Sequence, residues 1–235
     1  MFYNDHGLNF FLDKLPTFAV GASAEYRSAD EGWGIPVSRP VPGDADLSWH
    51  LINTLVADEF DVTMCHDMLI DHAVTIPMAL MWPSAACSDQ PWPVKMEINT
   101  VQHPLPGMAR CLKFGRAIDR ALETYPRDLR VAVVGTGGLS HQLDGTRAGF
   151  VNKEFDALCL DKIVAEPEAL ARYSIHELVT LSGSQGVEFL NWIAMRGALT
   201  GRVSELNRNY HIPISNTAAA TVVYDNQTIV ERKAA

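Results

Sequence analysis

Arg130-Val131-Ala132-Val133-Val134-Gly135-Thr136-Gly137-Gly138-Leu139-Ser140-His141 joins an apolar run to a Gly-rich turn and a histidine. Its first five residues are a β-branched run suited to a central strand, and the run stops at a Gly-rich turn. Open α/β sheets place ligands at the C-terminal edge of such strands, and glycines let backbone approach a ligand closely. The turn matches neither G-x-G-x-x-G nor a Walker loop, so it carries little nucleotide signal.

Upstream, Met108, Cys111, Leu112, Gly115, Ile118 and Leu122 recur at three- and four-residue steps and predict a helix with one buried face, ended by Pro126 and Asp128. Leu47, Leu51, Leu55 and Val56 predict another. Residues 59–64 and 94–100 read as strands joined through a Pro/Ser-rich connector at 83–93. Residues 29–34 form a turn-rich loop that runs on through three prolines to Asp44. Residues 7–29 show no strong periodicity. Phe2-Tyr3 reads as the end of a buried strand, with Asn4-Asp5-His6 as the turn after it; a short strand at the start of the chain fits equally well.

Downstream, Ser174-Ile175-His176-Glu177 is a capping box for a helix that Gly183 breaks. Ser184 is expected to cap the next helix, whose stripe is Val187, Leu190, Asn191 and Ala194. Thr221–Tyr224, Asp225-Asn226 and Thr228–Val230 read as a hairpin. No internal repeat is evident, and the alternation of elements argues for a single α/β domain over 1–235.

Composition narrows the function. Of 235 residues, 47% are hydrophobic and 20% charged, ordinary for a globular protein with a substantial core. A net charge of -9 argues against a general nucleic-acid binder, which needs clustered Lys and Arg. Cys65, Cys87, Cys111 and Cys159 lack C-x-x-C spacing and read as reduced thiols of a cytoplasmic protein. No run reaches the length of a membrane span, and the first residues do not form a signal peptide.

The chemistry rests on histidines. His50, His66, His103 and His176 read first as hydrogen-bonded or surface residues. His6 follows a strand end, where a rigid element can hold a metal ligand. His141 closes the Gly-rich turn, either as a capping residue or as a proton-transfer group. Glu188 near a helix start favours the helix dipole if exposed and needs a cation if it turns inward.

Together these segments resemble the class III extradiol dioxygenases, and within them the protocatechuate 4,5-dioxygenase beta subunits. The resemblance is carried by residues 3–6, 29–34, Asp71-His72-Ala73-Val74-Thr75-Ile76-Pro77, 135–143, Asn152-Lys153-Glu154-Phe155-Asp156, 186–188, 195–199 and Ser215-Asn216-Thr217. It implies an α/β fold with a central mixed sheet flanked by helices. It also implies an Fe(II) centre held by two histidines and a glutamate, an arrangement that leaves positions open for substrate and oxygen. On that basis His6 and Glu188 are metal ligands, and His141 is the acid/base residue. His72 is a pocket histidine that orients substrate or oxygen, and Ser215 and Asn216 hold the substrate carboxylate.

The family's other histidine ligand lies in a His-x-Pro segment ahead of the Asn-Asp-His turn, and this sequence begins at that turn. The expectation is therefore a domain truncated at its N-terminus relative to the family. The implied reaction is ring opening of protocatechuate by O2 next to the hydroxyls, giving 4-carboxy-2-hydroxymuconate semialdehyde. The implied partner is a small helical alpha subunit. Gallate or 3-O-methylgallate is the alternative substrate. A non-catalytic interaction subunit and a zinc hydrolase are the readings from other classes.

Overall fold

Phe2 and Tyr3, both fully buried, form the strand from which the candidate site hangs. The computed structural model describes residues 1–32, 34, 39–83, 93–100 and 103–227. In chain order the elements are β1 (Phe2–Tyr3), β2 (Phe18–Gly21), β3 (Glu25–Tyr26), β4 (Val41–Pro42), α1 (Ala45–Ala57), β5 (Thr63–Cys65), α2 (His72–Met81) and β6 (Met96–Ile98). They continue as α3 (Met108–Glu123), α4 (Lys153–Ala165), α5 (Pro167–Leu170), α6 (Ile175–Ser182), α7 (Phe189–Gly197), β7 (Arg202–His211) and β8 (Ala219–Gln227).

A four-stranded mixed sheet runs β1-β6-β2-β5. β1 lies parallel to β6, β6 antiparallel to β2, and β2 parallel to β5. The expected α/β architecture with a mixed sheet and flanking helices is the observed one. Strand side chains alternate between faces. Phe2, Phe18, Val20, Met96 and Ile98 therefore face a large core built with α1, α3, α4 and α7. Tyr3 and Ala19 face a smaller cluster with Tyr26, Met68, Ile70, Val74 and Met78.

α3 and α7 cross through glycines. A Cβ on Gly197 would lie 2.3 Å from Leu112 O, and one on Gly115 would lie 2.0 Å from Ala194 O. Arg196 donates to Ile163 O and Val164 O at the end of α4 and to Leu199 O. These contacts account for the Met195–Leu199 segment as packing and capping.

Several expectations change. Residues 130–134 join no named strand among the described residues. Their register with β1 is one parallel bridge, Phe2 to Gly135, with Phe2 N–H donating to Val134 O and Thr136 N–H to Phe2 O. β1 offers only two residues, Val131 stays about half exposed, and β propensity is realised only against a neighbouring strand. The expected hairpin turn at Asp225-Asn226 is also absent. β8 runs straight through it, Asp225 opposite Ser204 and Asn226 opposite Val203. The reversal lies instead in 212–218, where Asn216 adopts φ 56°. Thr228–Val230 lie outside the described residues.

The strand expected at 59–64 begins later, at Thr63, because Glu59 turns the chain off α1 at φ 66°. Ser184 caps no helix; its hydroxyl donates to Gln185, and a 3-10 turn (Gly186–Glu188) leads into α7. The capping box at Ser174 and Glu177 forms as expected, with Gly183 ending that helix. Cys65, Cys111 and Cys159 are free thiols; Cys87 lies outside the described residues. Among the described residues no helix is long and apolar enough to cross a membrane.

The face of the smaller cluster carries Lys95 and Glu97, both buried. Lys95 Nζ and Glu97 Oε2 have no hydrogen-bond partner among the described residues. The Lys95 ammonium stands 3.7 Å over the Tyr26 ring, and burial pushes its pKa down from 10.5 to about 7. Between those two values the unfolded chain holds a proton that the folded one has released, so this group's contribution makes stability rise with pH. Lys95→Met should therefore raise the melting temperature most at pH 6, and its advantage over the parent should shrink by pH 9.5. Paired thermal melts across that range test this, and a constant difference would contradict it.

Candidate active site

Three elements deliver the site. The 4–6 turn follows β1, Asp71 and His72 start α2, and the 186–188 turn starts α7. The first turn is shaped by Asp5, whose buried carboxylate accepts the backbone N–H groups of Gly7, Leu8, Asn9 and Phe10. Asp71 then takes hold of His6. Its Oδ2 accepts the His6 backbone N–H at 3.1 Å and His6 Nδ1–H at 2.9 Å, while its Oδ1 caps α2 through Ala73 N–H. A carboxylate can only accept, so Nδ1 carries the proton and Nε2 is the ring atom aimed outward.

Nε2 of His6 lies 3.7 Å from Glu188 Oε1. Glu188 has turned inward. Its Oε2 accepts Gly138 N–H at 2.6 Å, and its Oε1 receives Asn4 Nδ2 at 3.4 Å. Among the described residues no Lys or Arg forms an ion pair with it. Gly137, at φ 116°, packs so tightly that a Cβ would lie 2.7 Å from Glu188 Cβ. A Cβ on Gly138 would lie 2.7 Å from His141 Cε1. Glu188 and His141 thus sit on either side of one glycine, and only backbone without side chains fits between them.

His141 is buried, and its Nδ1–H donates to Leu139 O at 2.9 Å, which leaves Nε2 as the basic atom. The loop beneath it is locked by Asp156, which accepts Ser140 N–H, Ser140 Oγ–H and the Tyr210 hydroxyl. Asn152, the cap of α4, donates its backbone N–H to Ser140 Oγ. His72 packs against His6 with ring centroids 4.2 Å apart and the rings tilted by 41°, and Glu31 accepts both its backbone N–H and Nδ1–H at 2.7 Å.

The electrostatics draw positive charge into the gap. Burial opposes a proton on His6, but hydrogen bonds and charges from Asp71 and Glu188 outweigh it and raise the pKa to about 10. Burial likewise opposes ionisation of Glu188, yet the His6 and Gly138 hydrogen bonds and the His141 ring hold its carboxyl below the usual range. The 3.1 Å approach of Asn4 Nδ2 to His6 Nε2 is a hydrogen bond only where Nε2 carries no proton. A proton there and the Asn4 amide compete for one position.

This donor set fits a divalent cation: one imidazole nitrogen backed by a carboxylate and one inward-facing carboxylate oxygen, both aimed into one gap. His6, Asp71 and His72 also bring ligand atoms within 4.8 Å of one another. Both Asp71 oxygens are already spent on N–H donors, so Asp71 is the anchor of His6 rather than a ligand.

His6, Glu188, His72 and His141 are therefore gathered in one place. Ser215 and Asn216 are exposed on the connection between β7 and β8. They adjoin Thr217, whose methyl would be 3.3 Å from a Cβ on Gly138. That connection is tied to the His141 loop by Leu139 N–H to Ala218 O and Ala218 N–H to Ser140 O. Sequence reading gave no role to Asn4, Glu31, Asp71, Asn191 or the Gly138 N–H. The first three lie inside stretches that carry the resemblance, so a signal existed. Trp33, within one of those stretches, lies outside the described residues.

Asp71→Ala should remove the α2 cap and the His6 anchor together. A loss of about 2–4 kcal/mol is expected from one cap and one buried hydrogen-bonded carboxylate. Chemical denaturation checks the size, and a change below about 0.5 kcal/mol would refute the anchoring.

Comparison with known proteins identifies the family. The family described as the catalytic LigB subunit of aromatic ring-opening dioxygenase matches residues 1–223. A gallate dioxygenase of Pseudomonas putida is 41% identical over 202 residues, covering 85% of this chain and 58% of that protein. A 2,3-dihydroxyphenylpropionate/2,3-dihydroxicinnamic acid 1,2-dioxygenase of Cupriavidus necator is 33% identical over 143 residues, 60% of this chain and 42% of the relative. The chain thus spans 58% or less of the length of these two relatives. A crystal structure of an uncharacterized protein from Escherichia coli K12 shares the fold at a TM-score of 0.59 and 16% identity, covering 87% of this chain and 79% of that one. The protocatechuate-specific resemblance thus gives way to a broader statement: the chain belongs to the family of the catalytic LigB subunit of aromatic ring-opening dioxygenases.

Proposed function

We propose that this chain is the ring-opening part of an extradiol dioxygenase acting on a catecholic acid, with His6 and Glu188 as ligands to Fe(II). The observation that carries the reading is the 3.7 Å approach of His6 Nε2 to Glu188 Oε1 in a pocket that has no Lys or Arg counter-ion for that carboxylate among the described residues. When bound, the metal would lower the pKa of the substrate hydroxyls and hold substrate and O2 side by side. His141, oriented by its Nδ1–H bond to Leu139 O, turns Nε2 to the site, so it takes a phenolic proton and later returns it to the departing oxygen. His72, held by Glu31 and packed against His6, orients the bound reactants. Ser215 and Asn216 hold the ring carboxylate through hydrogen bonds from the side of the site formed by the β7–β8 connection.

Gallate ranks first as substrate, because the gallate dioxygenase relative aligns with 85% of the chain. Protocatechuate and 3-O-methylgallate are the comparison substrates. A small helical alpha subunit belongs to the same proposal, as does the histidine ligand that the family carries ahead of its Asn-Asp-His turn.

The protein reconstituted with Fe(II) without oxygen should consume O2 with gallate and yield a ring-opened product. Glu188→Ala should lose iron, read as a fall in the iron-to-protein ratio. His141→Ala should keep iron while turnover falls by about 10²–10⁴-fold. Full iron content in the first variant removes Glu188 as a ligand, and parental turnover in the second removes His141 from the reaction. Steady-state comparison of the three acids ranks the substrates.

A further inference from the structure

Asn4 and Asn191 link the two candidate ligands, and neither is explained by the fold alone. Asn4 is buried two residues before His6, and Asn191 is buried three residues after Glu188. The Asn191 side-chain amide donates from Nδ2 to Asn4 Oδ1 at 3.2 Å. With its oxygen held there, the Asn4 carboxamide turns its NH2 end toward the site. From there Nδ2 lies 3.4 Å from Glu188 Oε1 and 3.1 Å from His6 Nε2. The Asn191 Oδ1 has no partner among the described residues, although Asn191 is fully buried.

A buried amide with an unsatisfied oxygen destabilises a core. An apolar side chain in a helix as apolar as α7 would avoid that penalty. What Asn191 supplies instead is direction. A carboxamide is nearly symmetric in shape, so without a donor on its oxygen Asn4 could present either end to the site. Presenting oxygen would set three acceptors against one another in a low-dielectric pocket.

We propose that Asn191 and Asn4 form a carboxamide relay that aims the Glu188 ligand oxygen at the cation position facing His6. Asn4 acts directly on the Glu188 carboxylate, and Asn191 acts only by fixing which way Asn4 points. Both are positioning residues, and the inference rests on His6 and Glu188 binding a divalent cation. Outer hydrogen bonds of this kind typically set metal affinity by about 10–100-fold. A second consequence is the pattern of coupling: if Asn191 acts only through Asn4, removing either should do the same damage, and removing both should add nothing.

The test is a double-mutant cycle on Co(II) binding, measured by chelator competition and by the visible absorption of bound Co(II), with metal-free thermal melts in parallel. The parent protein must bind one Co(II) that Glu188→Ala does not; failure there overturns the metal reading itself and the relay with it. Given that binding, Asn4→Ala, Asn191→Ala and the double variant should each weaken Co(II) by a similar 10–100-fold. Their Co(II) spectra should be altered alike. Affinities within threefold of the parent overturn the relay while leaving the metal reading intact. Losses that multiply in the double variant overturn it too, because they assign the two residues independent structural roles. Should Asn191→Ala fold poorly, Asn191→Leu fills the helix position without an amide, and the same comparison applies.

Discussion

A partly buried carboxylate that no Lys or Arg pairs with among the described residues, and that faces the His6 imidazole, is the constraint around which this structure is arranged. Glu188 is drawn out of water and held by one backbone N–H, one amide and an imidazole at 3.7 Å. Hydrogen bonds alone do not neutralise an ionised group in such a place. The surrounding protein raises the proton affinity of His6 and holds Glu188 ionised, so the gap between them favours positive charge. The glycines at 137 and 138, the Asp71 anchor and the Asp156 lock on the His141 loop all serve to keep that gap open and shaped.

The supporting framework divides its work by element. The sheet is small, yet it fixes the exit of β1, and the exit fixes Asn4, Asp5 and His6. The α3–α7 glycine crossing sets the height of α7 and hence of Glu188 at its start. Asp71 does two jobs with two oxygens, starting α2 and orienting His6, so helix and ligand cannot drift independently. Each candidate ligand is thereby held from a different part of the chain, and the site exists only when those parts are packed together.

Under the proposed function, this arrangement also separates proton transfer from metal holding. His141 and Glu188 share Gly138 as a neighbour but hydrogen-bond to different partners, Leu139 O and Gly138 N–H. The proposed reaction asks for that division, one group passing a proton beside another that holds a cation.

Helices with strong caps and clear stripes, α3 and α6 above all, were legible from local residues, because their stabilising contacts lie within three or four positions. The histidines, Glu188 and the family were legible through ordered motif matches. The run at 130–134 and the Asp225-Asn226 turn were misread, because strand pairing depends on which distant segment offers a partner edge. The roles of Asn4, Glu31, Asp71 and Asn191 had to wait for the fold. Their long-range partners lie from 41 to 187 positions away in the chain, and only tertiary packing decides which polar groups meet inside. Family and inventory of chemical groups are written in the residue order; which of those groups face one another, and which way each is turned, follows from long-range packing.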